Sequence, residues 1–418
     1  MILAHGQIYE ESLQKSIISS LKKEIPATLE GPKLEIEKIY AAAERLYQRV
    51  LKGEFDELAA PLLAMAHLSH ETFLEYAKEF SAEGLRKKVE LELGKDPFSP
   101  HGISSHHFAI RRPLGVLLHI AAGNVDFLPA YSVLEGLLAG NINLLKLPSG
   151  DKGLSVKLLQ ELIQEEPSLS PYIYVFDVPS TEVDTLKELS HYADAVVVWG
   201  GDFAVKGVRE FADPNSQIIT WGHKLSFAYV DQKTSDEDLR GLAEDICLSN
   251  QMLCSSCQGL YYDGSDEKEL EEFAKRFVSI LSETNARMGP AALGMRAKSA
   301  LAILNEKMEG RGKIFQSPGV SAIVYPDSDL LLSFLFRNVW IKPLPEEKIV
   351  EVLKPYRGYL QTCALLVEQE KRAALRERFF LAGLTRLSGP HMSLTEPGEA
   401  HDGSYALSRY TRIVDYQE

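Results

Sequence analysis

The chain has 418 residues, an ordinary composition (45% hydrophobic, 25% charged), a formal net charge of −14 and a pI near 5.4. That length supports two or three domains with sizeable cores, and the acidity argues against nucleic acid or an anionic membrane as the main partner. Four cysteines, at 247, 254, 257 and 363, make no disulfide framework and fit a reducing compartment. The N-terminus lacks a basic segment followed by a long apolar core, so a cytoplasmic protein is expected.

Residues 1–95 read as mostly helical, with apolar residues at helical spacing from Leu34 to Val50, Phe55 to Phe73 and Phe80 to Leu93. No carboxylate–histidine spacing around His5, His67 or His70 supports a metal site, and none is expected. Pro and Gly break the pattern over 96–112, which is read as an extended arm. His106 and His107 would face opposite sides of a strand there and make a poor chelate.

From Arg112 the texture alternates. Strands are predicted at Gly115–Ala121, Asn143–Leu147, Tyr172–Val178, Ala193–Trp199 and Gln217–Trp221, with helices between them. Val/Ile/Leu-rich strands alternating with helices argue for a parallel, doubly wound sheet, which binds nucleotides at the carboxyl ends of its strands. The longest apolar region, Val116 to Leu147, is interrupted by His119, Asn124, Asp126, Glu135 and Asn141, so it is a buried core and not a membrane span. The second half repeats the texture. Its predicted strands are Phe227–Val230, Gln258–Tyr262, Val320–Tyr325 and Gln361–Val367; helices cover Asp236–Leu248, Leu270–Leu281, Pro290–Leu304 and Lys371–Ala382.

The stretch Asn250 to Gln258 joins a predicted helix to a predicted strand and carries Cys254 beside Ser255 and Ser256. A cysteine at such a junction, among small residues, can be reached by substrate and flanked by oxyanion donors. It can equally be a small buried hydrophobe, or pair with Cys257 in a metal or redox site. Asn124 follows a strand and can aim an amide at an oxyanion; Asn141 reads as a turn residue. Lys146, Ser149, Gly200, Gly201 and Gly222 stand at strand ends and suit a ribose or phosphates, although no GxGxxG is present.

Together these stretches resemble the aldehyde dehydrogenase superfamily, and within it the long-chain acyl-CoA reductases of the LuxC type. The motifs are Arg112-Pro113-Leu114-Gly115-Val116, His119 to Val125, Leu145 to Ser149, Trp199-Gly200-Gly201, Trp221-Gly222-His223-Lys224, Asn250-Gln251 with Cys254-Ser255-Ser256, and His401-Asp402-Gly403. The resemblance implies an α/β fold with a Rossmann-like cofactor domain, an α/β catalytic domain and a small oligomerisation arm. The boundaries read as 1–95, 96–112, 113–225, 226–385 and 386–418.

By that resemblance Cys254 is the nucleophile, Asn124 the oxyanion donor, and Lys146, Ser149, Gly200, Gly201 and Gly222 the cofactor-binding set. The implied reaction is reduction of an acyl-CoA or other acyl thioester to an aldehyde. A homo-oligomer is implied, with an acyl-transfer protein as a candidate partner. Oxidative aldehyde dehydrogenase and a silent nucleotide-binding scaffold are the alternatives. Hydrolytic members carry a Glu in the segment matching Thr220 to Lys224, where this chain has no carboxylate. Many NAD-preferring members carry a Glu three residues after the ribose-binding Lys; neutral Ser149 stands there, which points to NADPH with NADH possible. The roles of Cys257 and His401 stay open.

Overall fold

The computed structural model describes residues 1–66, 69–121, 128–148, 151, 153–291, 293–396 and 398–418. Asn124, Ser149 and Lys152 lie outside the described residues. The chain folds as two compact units, one of residues 1–222 with 396–418 and one of residues 223–395.

The first unit opens on a hairpin, β1 (Ile2–Ala4) and β2 (Gln7–Tyr9), where the sequence pattern suggested helix. Five helices follow in the region read as mostly helical: α1 (Gln14–Glu30), α2 (Ile36–Leu51), α3 (Asp56–Ala66), α4 (His70–Ala77) and α5 (Ala82–Leu93). In α2 the apolar spacing reaches its purpose, because Ile39, Tyr40, Ala43, Leu46 and Val50 are all buried on one face. Then come β3 (His101–Ser104), β4 (His107–Pro113), β5 (Val116–Ile120), α6 (Leu128–Leu138), β6 (Ile142–Lys146), α7 (Leu154–Glu165), β7 (Ile173–Phe176), α8 (Val183–His191), β8 (Ala195–Trp199), α9 (Asp202–Phe211) and β9 (Gln217–Trp221).

Seven of these strands form one sheet in the order β2-β1-β7-β6-β5-β8-β9. The hairpin joins antiparallel and the other pairs are parallel. Every residue of β6, β7 and β8 is buried, as strands covered on both faces require. Gly115 enters β5 at φ 137°, and a side chain there would collide with Asp194, whose carboxylate accepts the Val116 N–H at 2.8 Å.

The second unit contains β10 (Leu225–Val230), α10 (Asp236–Ser249), β11 (Cys257–Tyr262), α11 (Glu267–Met288), α12 (Leu293–Glu309), β12 (Lys313–Ser317), β13 (Val320–Val324), β14 (Asn338–Pro343), α13 (Ile349–Leu353), β15 (Leu360–Leu366), α14 (Gln369–Ala382) and β16 (Arg386–Ser388). Its sheet runs β12-β13-β14-β11-β10-β15-β16, parallel except for the β12–β13 pair. Strand β14 has no counterpart among the predicted strands, although it sits between β13 and β11. The unit also runs past residue 385, to Thr395, because β16 adds to β15 and Ser393 donates to the buried Asp245 carboxylate.

The chain then returns to the first unit with α15 (Ala406–Arg409) and β17 (Thr411–Gln417). Strand β17 pairs antiparallel with β4, which also pairs with β3, giving a small three-stranded sheet from the 96–112 region and the C-terminus. Among the described residues no helix is long and apolar enough to cross a membrane.

Candidate active site

In the second unit, Ser235 caps α10 by accepting the Asp238 N–H at 3.0 Å, and the helix runs to Ser249. Asn250 and Gln251 then take left-handed conformations, at φ 46° and 65°, without being glycine. Two such residues in succession reverse the chain and need outside support. The reversal leads into a tight turn in which Met252 N–H donates to Ser249 O and Ser256 N–H to Leu253 O, each at 3.0 Å. Cys254 lies in this turn, exposed, just before β11. Its carbonyl accepts from the Ser226 hydroxyl at 2.7 Å, which ties the turn to β10.

The support comes from two buried amides. Gln251 donates to Cys257 O at 3.0 Å and to the Ser333 hydroxyl at 3.1 Å, and its carbonyl accepts Arg337 N–H at 2.9 Å and Asn338 N–H at 3.2 Å. Gln258 donates to Gln251 O at 3.1 Å and accepts from the Ser333 hydroxyl at 2.8 Å. The opposite wall is itself unusual, since Leu335, Phe336 and Arg337 all have φ between 50° and 72°.

Arg337 is 4% exposed, and among the described residues no carboxylate is one of its hydrogen-bond partners. Its guanidinium donates to Cys247 O near the end of α10, to Gly289 O at the end of α11, and to the Asn285 side chain. The partial negative charge of two helix C-termini therefore stands in for a counterion.

The four thiols are not equivalent. Burial pushes Cys247 up to about 11, and it also raises Cys257 and Cys363. Cys257 directs its S–H at Gly259 O, 3.2 Å away inside the core. Only Cys254 is both exposed and set in a turn rather than a strand or helix. A thiol buried in low dielectric stays protonated and poorly nucleophilic.

In the first unit, the strand order reverses between β5 and β8, and such a reversal is where nucleotides bind in open α/β sheets. Lys146 ends β6, Gly200 and Gly201 follow β8, and Gly222 follows β9, so all four stand at carboxyl ends of one sheet. Burial lowers the Lys146 ammonium below its ordinary value, while Asp177 partly opposes this. The ammonium donates to the Ser180 hydroxyl at 3.2 Å. Asp151 accepts the Gly153 N–H at 2.6 Å.

The same sheet edge carries an aromatic group. The Trp199 and Trp221 rings stack at 5.4 Å, and His401 meets both edge-on at 5.1 and 5.3 Å. The Arg409 guanidinium lies 4.7 Å from the Trp221 ring. Behind Trp199, its indole N–H donates to Ser132 Oγ at 2.9 Å. Asn143 gives its amide N–H groups to Asn141 O and Tyr172 O, so its Oδ1 accepts from His119 Nε2–H at 3.0 Å, and His119 Nδ1 accepts from the Ser132 hydroxyl at 2.7 Å. This neutral tautomer agrees with a pKa that burial lowers to about 4. His119 is a structural relay holding the end of β8.

The sequence reading did not include Gln251's partners at 333–338, Arg337, Ser180 or the Trp221–Arg409 contact. The first two groups lie in an irregular segment whose left-handed residues have no glycine to signal them.

The acyl-CoA reductase (LuxC) family model matches residues 32–413. A long-chain acyl-protein thioester reductase of Aliivibrio fischeri is 26% identical over 316 residues, 73% of this chain and 64% of that protein. One of Photobacterium phosphoreum is 29% identical over 354 residues, 81% of this chain and 70% of that protein. The chain thus spans under two thirds of the length of the first of these relatives.

Among solved structures, apo betaine aldehyde dehydrogenase from Staphylococcus aureus superposes with a TM-score of 0.73 at 13% identity, covering 97% of this chain and 88% of that one. Lactaldehyde dehydrogenase from Escherichia coli gives 0.72 at 14%, covering 97% and 91%. A structure from Sinorhizobium meliloti, complexed with NAD and described as a methylmalonate-semialdehyde dehydrogenase, gives 0.71 at 14%, covering 99% and 91%. The fold is that of the aldehyde dehydrogenases, and the chain belongs to the acyl-CoA reductase (LuxC) family.

Proposed function

We propose that the protein reduces an acyl thioester to the aldehyde through an acyl-enzyme on Cys254. The observation that carries this is the contrast among the thiols: three are buried, and Cys254 is presented in a turn held by Gln251 and Gln258. As thiolate, Cys254 attacks the thioester carbonyl, and the donor's thiolate leaves and takes up a proton. Asn124 and a backbone N–H near Cys254 are assigned to the tetrahedral oxyanion. The acyl group then rests on Cys254. No carboxylate stands in Thr220 to Lys224 to activate water against it, so hydrolysis is slow.

A reduced nicotinamide cofactor, when bound, supplies hydride. The resulting thiohemiacetal on Cys254 breaks its C–S bond, which releases aldehyde and regenerates the thiolate. Lys146, Ser149, Gly200, Gly201 and Gly222 are the residues assigned to the cofactor. The donor set fits such a group, because the partly desolvated Lys146 ammonium gains from an added hydroxyl or phosphate oxygen, and because a Cβ added at Gly222 meets open space. NADPH is the preferred cofactor in this reading, on the neutral Ser149; Asp177 beside Lys146 works against it.

The test is to supply acyl-CoA of several chain lengths with NADPH or NADH and follow cofactor absorbance. Acyl-dependent oxidation supports the reading, as does mass spectrometry that places the acyl group on Cys254 when cofactor is withheld. An adduct on Cys257, or nucleotide binding without turnover, overturns it. An NADPH preference that reverses in Ser149→Glu supports the cofactor assignment, and a wild-type NADH preference removes it.

A further inference from the structure

Arg337, whose backbone N–H holds Gln251, is met at its side chain by a second guanidinium. Arg337 donates to the buried Asn285 side chain, and its Nε is buried without a hydrogen-bond partner. Arg296, near the start of α12, reaches the same place. A side chain begun at Gly319 (φ 82°) would stand 3.2 Å from Asn285 Nδ2 and 3.7 Å from Arg296 Nη1. Among the described residues Arg296 makes no hydrogen bond and no ion pair, and its Nε is buried as well. Burial, and with it the Arg296 charge, lowers the Arg337 guanidinium below its ordinary value, against the opposing influence of Cys247.

The balance of donors and acceptors identifies what the cluster lacks. Cys247 O, Gly289 O and Asn285 Oδ1 already accept from Arg337, and Asn285 Nδ2 donates to Pro318 O at 3.3 Å. Two Nε–H groups and the rest of the Arg296 fork remain, and no described residue offers them an acceptor. Water accepts from such groups but leaves two like charges close together in a poorly solvated place. An acceptor-only ligand of opposite charge removes both penalties. A phosphoryl group carries about two negative charges and three acceptor oxygens, which matches two guanidiniums in charge and in forked geometry. Gly289 and Gly294 have no atom within 4 Å of where a Cβ would stand, so the backbone leaves room. Pro318 is exposed and Arg296 and Gly319 are half-buried, so an ion can enter from solvent.

We propose that Arg296, Arg337 and Asn285 form a binding site for a phosphate oxyanion, supplied as inorganic phosphate or as a phosphoryl group of a larger ligand. Arg337 ties the site to the wall that holds the Cys254 turn, so occupancy stabilises the second unit there.

The test is thermal denaturation of the full chain with inorganic phosphate, against chloride at the same ionic strength. Phosphate should raise the wild-type midpoint by about 2–4 °C, increasing with its concentration. Arg296→Gln should abolish the rise. Lys146→Ala, at the cofactor edge of the first sheet, should keep it. Without phosphate, Arg296→Gln removes a like charge and strands no partner, so its midpoint should equal or exceed the wild-type value. The source is read from KM for a long acyl-CoA and for the same acyl group on pantetheine, which lacks the nucleotide phosphates. If CoA supplies the phosphoryl group, Arg296→Gln raises KM for acyl-CoA by about fivefold or more and leaves the pantetheine thioester unchanged. If neither KM moves, the ligand is free phosphate. Both results uphold the site.

No phosphate-dependent rise in the wild type, an equal rise in Arg296→Gln, or a rise lost in Lys146→Ala would each overturn the proposal. So would an Arg296→Gln variant clearly less stable than wild type without phosphate, because Arg296 would then have a partner inside the protein. Only the KM comparison rests on the thioester-reductase reading. A protein that reduces neither thioester fails that reading and leaves the midpoints to judge the site.

Discussion

The two units build their candidate sites in opposite ways. At the carboxyl edge of the first sheet the candidate cofactor residues are glycines and one partly desolvated lysine, beside the stacked Trp199 and Trp221 rings. Around Cys254 the backbone is left-handed at two non-glycine residues and is held by buried amides whose hydrogen bonds run to the 333–338 segment. A site that must accept a large cofactor needs open backbone. A nucleophile on a short turn needs the turn immobilised, because a misplaced attacking atom loses the advantage of orientation. The lesson is that rigidity was invested at the thiol and access at the sheet edge.

The largest expected effect tests the thiol side. Cys254→Ala should reduce turnover by at least about 10³-fold, whereas Cys257→Ala should keep most of it, since Cys257 is sealed in the core. Comparable losses in both variants, measured as cofactor oxidation, would erase the distinction between them.

Next comes Asn124, whose assignment rests on sequence. Asn124→Ala should lower kcat by about 10²–10³ with folding little changed. Near-normal kcat in a folded variant would remove Asn124 from the oxyanion site.

Gln251 tests whether the amides immobilise the turn. Gln251→Ala strips partners from Arg337 N–H, Asn338 N–H and Cys257 O, and should destabilise the fold by about 3 kcal/mol. It should also change the alkylation rate of Cys254. A denaturation midpoint at the wild-type value would show that the reversal holds without it.

The smallest effect belongs to the first unit. His119 has a folded pKa near 4, below its unfolded value, so the unfolded chain takes up its proton first as pH falls. Stability from this group is complete above the unfolded pKa and is lost on acidification, by about 2 kcal/mol at pH 5. His119→Gln should flatten stability between pH 7 and 5 relative to wild type, read as the difference in unfolding free energy. An unchanged slope would remove the neutral relay.

Much of the path to the thiol is legible in residue order. The apolar spacing of Asp236 to Leu248 is α10, the apolar run Gln258 to Tyr262 is β11, and the small residues between them are the turn. Lys146 and Gly200 likewise fall at strand ends because β-runs closed by Lys-Leu-Pro or Gly-Gly announce where they stop. Strand β14 was not legible: its apolar core, Val339 to Ile341, is short and flanked by Asn338 and Lys342. It is a strand because β11 and β13 pair with it on either side. The hairpin β1–β2 is likewise held by β7, far along the chain.

By itself the sequence determined the alternation of strands and helices, the strand-end positions of the cofactor candidates and the family, because these depend on local periodicity and on motif order. Only the tertiary structure decided which cysteine is exposed, because Cys254 and Cys257 are alike in local sequence and differ only in what packs over them. It also decided that Arg337 takes two helix ends in place of a counterion, and that α12 turns Leu293, Leu301 and Leu304 outward. A helical pattern shows that a face is apolar, but the rest of the fold determines whether that face looks in or out.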